Sequence, residues 1–179
     1  LEAVLSEALA DGRVQDAVIS QSLAQFEQLW ALRENISAAQ SHEGKNIKHD
    51  ISVPISRIGE FIEAASRQIR QAYPDARLIV FGHLGDGNLH FNVAPHARFA
   101  QHYDEAFARD EARVNRLVHD LVAAYEGAIS AEHGIGVLRQ TELVRYKQPL
   151  ELQMMRAIKQ ALDPHDRMNP GKLLPTPYT

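Results

Sequence analysis

The chain has 179 residues, 45% of them hydrophobic, with 19 Lys+Arg against 23 Asp+Glu for a formal net charge of −4, and it contains no cysteine. That length holds one domain or two small ones. The mild negative charge, without a basic stripe, argues against nucleic acid as the partner; the lack of Cys excludes disulfides and thiolate metal sites, and no apolar run approaches the roughly 18 residues of a membrane span.

Leu1 to Leu9 places Leu1, Val4, Leu5, Ala8 and Leu9 on one helical face, and Asp11-Gly12 stops that helix. The pattern is already under way at Leu1, so the chain reads as a piece of a longer polypeptide. Asp16 to Ile19 is a short apolar run expected to be a strand. Ser20 or Ser22 can cap a following helix that runs to about Ala39, with Leu23, Phe26, Leu29, Trp30 and Leu32 as packing residues. Arg33 and Ser37, four apart, share a face of it. Lys45 to Val53 alternates: Ile47, His49, Ile51 and Val53 face one way, Lys48, Asp50 and Ser52 the other, as in a half-buried strand. Taken alone, Arg33 and Lys48 read as solvated charges.

Pro54 suits the start of a helix with the stripe Ile55, Ile58, Ile62, Ala65 and Ile69, ended by Tyr73-Pro74-Asp75. Arg77 to Phe81 is an apolar strand. Asp86-Gly87 then signals a two-residue hairpin turn. That turn pairs Gly85 with Asn88, Leu84 with Leu89 and His83 with His90. Opposed residues point to one face, and Asn92 joins them by strand alternation. The expected polar face is therefore His83, His90 and Asn92. Two imidazoles at that spacing can share a metal ion. Gly82, Gly85 and Gly87 around the turn suggest a close approach to the backbone.

Phe99 to Glu126 carries helical spacing, with Tyr103, Phe107, Val114, Leu117, Val118, Leu121 and Tyr125 as core, His102 and His119 as structural or exposed, and Gly127 as the residue after the helix end. Then comes Ser130-Ala131-Glu132-His133-Gly134-Ile135-Gly136. It adds a carboxylate and an imidazole, with two glycines that permit a tight path beside a ligand. Two histidines and a carboxylate with an open position are a common set for a catalytic divalent metal. A short helix over Leu138–Tyr146, a last helix from Pro149 with Leu152, Met155, Ile158 and Leu162, and a proline-rich tail complete the chain. The element order predicts an α+β fold: a ferredoxin-like, mostly antiparallel sheet with helices on one face and further helices at the C-terminus.

Gly82-His83-Leu84-Gly85-Asp86-Gly87-Asn88-Leu89-His90, Ser130-Ala131-Glu132-His133-Gly134-Ile135-Gly136 and Asn169-Pro170-Gly171-Lys172 together resemble the C-terminal domain of the FAD-linked oxidases that act on D-2-hydroxy acids, over about Leu29 to Pro175. The resemblance implies that His83, His90 and Glu132 hold a divalent metal, usually zinc, and that His133 is the general base. It gives Arg33, Ser37, Lys48 and Asn92 to the substrate, reversing the bland reading of Arg33 and Lys48. It sets Glu132, His133 and Asn169 near the flavin. It makes residues 1–179 the substrate- and metal-binding domain of a longer flavoenzyme. The FAD-binding domain of that polypeptide would lie upstream; nothing in the chain resembles it, and the domain's own first strand is expected to be cut away as well.

The implied reaction is oxidation of a D-2-hydroxy acid to a 2-oxo acid. The metal favours the alkoxide, His133 takes the proton, Arg33 and Lys48 grip the carboxylate, and FAD accepts the hydride. The chain alone is then expected to be inactive. Its compartment would be the bacterial cytoplasm or, in a eukaryote, the mitochondrion, and an exposed sheet edge would permit a homodimer. Two rival readings are a self-contained metal-dependent hydrolase and a non-catalytic assembly module; dependence on flavin separates both from the first.

Overall fold

A computed structural model describes residues 1–42, 44–95 and 109–175. The chain divides into two compact units, Leu1–Glu43 and Gly44–Thr179. Among the described residues there are seven α-helices and one three-stranded sheet.

The first unit is helical: α1 (Glu2–Ala10), α2 (Leu23–Glu34) and α3 (Ile36–His42). Ser22 caps α2, its Oγ accepting the Gln25 N–H at 3.2 Å, while the Gln25 side chain accepts the Gln21 N–H at 2.7 Å. The expected single helix to Ala39 is interrupted at Asn35, the C-cap of α2. Asp16 to Ile19 forms no strand; no sheet neighbour pairs with it, and an apolar run alone does not make a ladder. Leu23, Phe26, Leu29, Trp30 and Leu32, expected as packing residues, are exposed. Phe26 and Trp30 stack on each other with centroids 6.0 Å apart.

The second unit holds β1 (Asp50–Ser52), α4 (Ile58–Ala72), β2 (Arg77–His83), β3 (Asn88–Ala94), α5 (Glu111–Ala124), α6 (Gln140–Tyr146) and α7 (Pro149–Leu162), with a 3₁₀ turn over Ile55–Arg57 before α4. The sheet is antiparallel throughout, in the order β1-β3-β2. A helix thus links β1 to β2, a hairpin links β2 to β3, and a second helix follows. After α5 the chain returns to the free side of β1, where Ala128 bridges Ser52. This is three quarters of a ferredoxin-like sheet, with the fourth strand reduced to one bridge. The alternation read across 45–53 holds: Ile47, His49, Ile51 and Val53 are all buried, although only Asp50–Ser52 is continuous strand and Ile47 joins β3 through an isolated bridge to Val93.

One face of the sheet makes the core. Ile51, Leu89, Phe91 and Val93 pack against Ile58, Phe61, Ala65 and Ile69 of α4 and Val114, Val118 and Val122 of α5. Phe61 sits edge-on to both Phe91 and Tyr125, at 6.0 and 5.6 Å. The helix expected over 99–126 is described from Glu111; Phe99, His102, Tyr103 and Phe107 lie outside the described residues. It ends in a Schellman motif: Gly127 N–H bonds Val122 O at 2.8 Å and Glu126 N–H bonds Ala123 O at 3.1 Å. The left-handed residue is Glu126, at φ 59°. Gly127 is needed for a different reason from the one expected: a Cβ there would lie 2.2 Å from Ser52 O. In α7 only Leu152 of the expected stripe is buried, and Ile158 and Leu162 are exposed.

His49 and His119 are buried on the helix side of the sheet, with rings 5.6 Å apart and nearly perpendicular. His49 Nδ1 lies 2.7 Å from Phe91 O, and His119 Nδ1 lies 2.9 Å from Glu142 Oε2. Arg116 bonds the other Glu142 oxygen at 2.8 Å and Tyr146 Oη at 3.1 Å. Burial pushes His49 down to about 3, with the neighbouring His119 and Arg139 acting the same way and the Phe91 carbonyl opposing. Burial also lowers His119, against the pull of Glu142.

Candidate functional site

The opposite face of the sheet carries the polar residues. The hairpin register differs from the expected one: His83 faces Asn88, Gly82 faces Leu89 and Phe81 faces His90, so the loop is four residues, 84–87, rather than two. The Asp86 carboxylate accepts the Asn88 N–H at 3.0 Å, an Asx-type closure that accommodates the longer loop. The slip is by two residues, and strand side chains alternate with period two. His83, His90 and Asn92 therefore still share one face. β1 adds Asp50 opposite His90 and Ser52 opposite Asn88.

Two glycines of this hairpin, Gly82 and Gly87, are approached closely by the protein's own backbone. A Cβ on Gly82 would lie 2.1 Å from Asn88 O, and one on Gly87, at φ +78°, 2.2 Å from Val53 O; Gly85 has open space around it. Gly134 and Gly136 serve through left-handed backbone, at φ +76° and +57°.

The segment after Ala128 brings Glu132 to the two histidines. Its carboxylate sits between them, Oε1 at 3.1 Å from His83 Nδ1 and Oε2 at 3.9 Å from His90 Nε2. The side chains of His83 and Glu132 are 43% and 44% exposed and that of His90 18%, so the group opens to solvent on one side. His133 is the next residue, two-thirds exposed, with its ring 5.8 Å from that of His90. Phe81 covers the other side of the His90 ring at 4.8 Å. The two imidazoles approach different oxygens of Glu132, and these three side chains do not bring one ligand atom each within 4.8 Å of one another. They are ligand types that suit a divalent metal, which would have to draw them together.

Asp50 is a residue that the sequence did not single out. It is 1% exposed. Its Oδ2 accepts the backbone N–H groups of Ala131, Glu132 and His133 at 3.2, 2.9 and 2.8 Å, and stands 3.7 Å from His133 Nδ1. Burial pushes the Asp50 carboxyl up, but the three N–H donors and the His133 imidazole outweigh it, leaving it below the ordinary carboxylate range. Among the described residues, Asp50, Glu132 and His133 are the trio whose ligand atoms all lie within 4.8 Å of one another. Asp50 Oδ2 is occupied by the three amide donors, and its Oδ1 is buried with no hydrogen-bond partner. Asn88, buried on this face with neither side-chain polar atom hydrogen-bonded, was also missed. Asp50 is part of an alternating strand and Asn88 of a turn motif, and nothing in either pattern marks them apart.

The other expected site residues are placed as follows. Lys48 is exposed, and its backbone O accepts from Arg139 Nη2 at 3.1 Å. Asn92 is buried, with Oδ1 accepting the His49 N–H at 3.3 Å. Arg33 and Ser37 belong to the first unit, where both are exposed and the Arg33 guanidinium lies 5.1 Å over the Trp30 ring. Asn169 is exposed at φ 50°, in a tail tied back by Leu173 N–H to Gly136 O at 3.2 Å and by Gln140 to Gly171 O at 2.7 Å.

The family model described as "FAD linked oxidases, C-terminal domain" matches residues 1–173, so the likeness begins well before Leu29. The chain is 40% identical to the D-2-hydroxyglutarate dehydrogenase of Stutzerimonas stutzeri (strain A1501), covering 96% of this chain and 36% of that protein. It is 41% identical to the D-2-hydroxyglutarate dehydrogenase of Xanthomonas citri pv. viticola, covering 97% and 36%. The mitochondrial D-2-hydroxyglutarate dehydrogenase of Arabidopsis thaliana is 35% identical over 98% of this chain and 29% of its own length. The chain thus spans about a third of the length of these relatives. Among the described residues no helix is long and apolar enough to cross a membrane.

Proposed function

As the chain belongs to the family of FAD linked oxidases, C-terminal domain, we propose that it is the substrate- and metal-binding part of a flavin-dependent dehydrogenase oxidising a D-2-hydroxy acid to a 2-oxo acid, with D-2-hydroxyglutarate the first substrate to try. The observation that carries this reading is the Glu132 carboxylate set between His83 and His90, with His133 beside it. His83, His90 and Glu132 hold a divalent metal, zinc by choice of ligands. When bound, that metal supplies a Lewis acid for the substrate hydroxyl oxygen. FAD, held by another part of the polypeptide, supplies the hydride acceptor.

The remaining work falls to side chains of this chain. His133 takes the hydroxyl proton, as a two-thirds exposed imidazole next to the metal ligands can do. Arg33 and Lys48 bind the substrate carboxylate, Arg33 as a bidentate donor. Ser37 donates a hydrogen bond to the substrate, Asn92 is a polar residue beside it, and Asn169 lies towards the flavin with Glu132 and His133. The compartment follows the source of the protein, the Arabidopsis relative being named mitochondrial.

Two experiments test this. Elemental analysis of the purified chain should find about one zinc or similar ion, lost in the His83→Ala/His90→Ala variant. Replacing the matched segment of the Stutzerimonas stutzeri enzyme with this chain should give a flavoprotein that oxidises D-2-hydroxyglutarate. In that chimera His133→Ala should lose most of kcat, and Arg33→Ala should mainly raise KM. Metal bound equally well without the two histidines, or turnover without flavin, would overturn the reading.

A further inference from the structure

We infer that Asp50 is a positioning residue for the metal ligand and the base: it pins the Ala131–His133 turn onto β1 and so sets Glu132 and His133 in place together. This rests on the metal-site reading above.

The argument is geometric. Glu132 and His133 arrive on a segment that carries only one sheet bridge, Ser52 to Ala128. Beyond it, three consecutive N–H groups converge on one carboxylate oxygen at 3.2, 2.9 and 2.8 Å. Three successive donors on one acceptor fix the peptide planes of the turn, and with them the directions of the Glu132 and His133 side chains. The Asp50 backbone carbonyl adds a further bond from Ala131 N–H at 3.2 Å. Asp50 is itself anchored by its pairing with His90 in the sheet, with Ile51 beside it in the core. The same strand pair therefore holds His90 and, through Asp50, Glu132. His133 Nδ1 stands 3.7 Å from the same carboxylate oxygen, beyond hydrogen-bond reach, so Asp50 acts on His133 through its backbone N–H.

Asp50 acts here through an acceptor oxygen, not as a metal ligand, and the two roles separate experimentally. Zinc affinity would be measured by calorimetry on the folded chain and its variants. With the wild type binding and His83→Ala/His90→Ala not, Asp50→Ala is expected to weaken zinc roughly 10- to 100-fold, and Asp50→Asn, which keeps an acceptor oxygen, to stay within about threefold of wild type. Far-UV circular dichroism checks that each variant is folded. Wild-type affinity in folded Asp50→Ala overturns the inference and leaves the metal site standing. An Asp50→Asn loss as large as that of the double histidine variant overturns it too, since Asp50 would then be a ligand. If Asp50→Ala does not fold, Asp50→Asn decides together with amide exchange, where the N–H groups of 131–133 should be protected in wild type and unprotected amides overturn the inference. Failure of the wild type to bind zinc at all removes the metal reading and this one with it.

Discussion

Two groups of two histidines and a glutamate lie on opposite sides of one three-stranded sheet. On the helix side, His119 of α5 and Glu142 of α6 meet beside His49, and both histidines are buried. On the other side, His83, His90 and Glu132 stand partly open. The residue types are the same, and surroundings separate the roles. In the buried group the His49 ring bonds the Phe91 carbonyl within the sheet and the His119 ring bonds Glu142, tying α5 to α6, and the two rings pack on each other between sheet and helices. The open group has its carboxylate between two rings and a side left for another ligand. The same residue types are thus sealed inside the fold in one place and left open to solvent in the other.

The largest effect that would break this comparison is on stability. His49→Ala and His119→Ala should each destabilise the chain by about 2–4 kcal/mol, from the cavity and the orphaned partner, read as a fall in the urea midpoint. A change below the error of the titration would make the buried group dispensable. In the open group, His83→Ala/His90→Ala should weaken zinc by at least about 100-fold, or about 2.7 kcal/mol, and barely move the metal-free midpoint.

Acid sharpens the contrast further. His49 and His119 are held neutral in the folded chain, with values below the ordinary imidazole value of 6.5. The unfolded chain takes up protons near 6.5 that the folded chain refuses. Their contribution is therefore complete above that pH and lost as pH falls from 6.5 towards about 3 for His49. The slope reaches about 1.4 kcal/mol per pH unit for each neutral histidine. Urea titrations at pH 7, 6 and 5 should show the decline, and His119→Leu should make it shallower; a flat profile would contradict the burial. The smallest difference is between the carboxylates. Glu142→Gln should cost about 1–2 kcal/mol, since it meets both a buried imidazole and Arg116, whereas Glu132→Gln should change metal-free stability by less than about 0.5 kcal/mol.

How much of this was legible in the chain depends on the range of the information. Strand alternation is local, so Ile47, His49, Ile51 and Val53 were assigned to the core side correctly, and His83, His90 and Asn92 to one face even though their pairing was two residues out. Turn length is less local: Asp86-Gly87 favours a tight turn, but Gly82 and Gly87 must also fit against Asn88 O and Val53 O, and those contacts set the longer loop. Asp50 was beyond reach, because its partners lie 81 to 83 residues later. The stripe of Leu23, Phe26, Leu29, Trp30 and Leu32 shows the opposite limit. Helical spacing tells which side is apolar, not what covers it, and here those side chains are exposed.

The stitching of residues 128–133 to β1, by the Ser52–Ala128 bridge and the Asp50 carboxylate, has a consequence for timing. That stretch loses its conformational freedom when the domain folds, not when an ion arrives. A metal bound as proposed would meet a Glu132 whose backbone is already placed, and would have the half-exposed Glu132 and His83 side chains and its own water shell to reorganise. For such a ligand the ordering entropy of that backbone would be settled in advance.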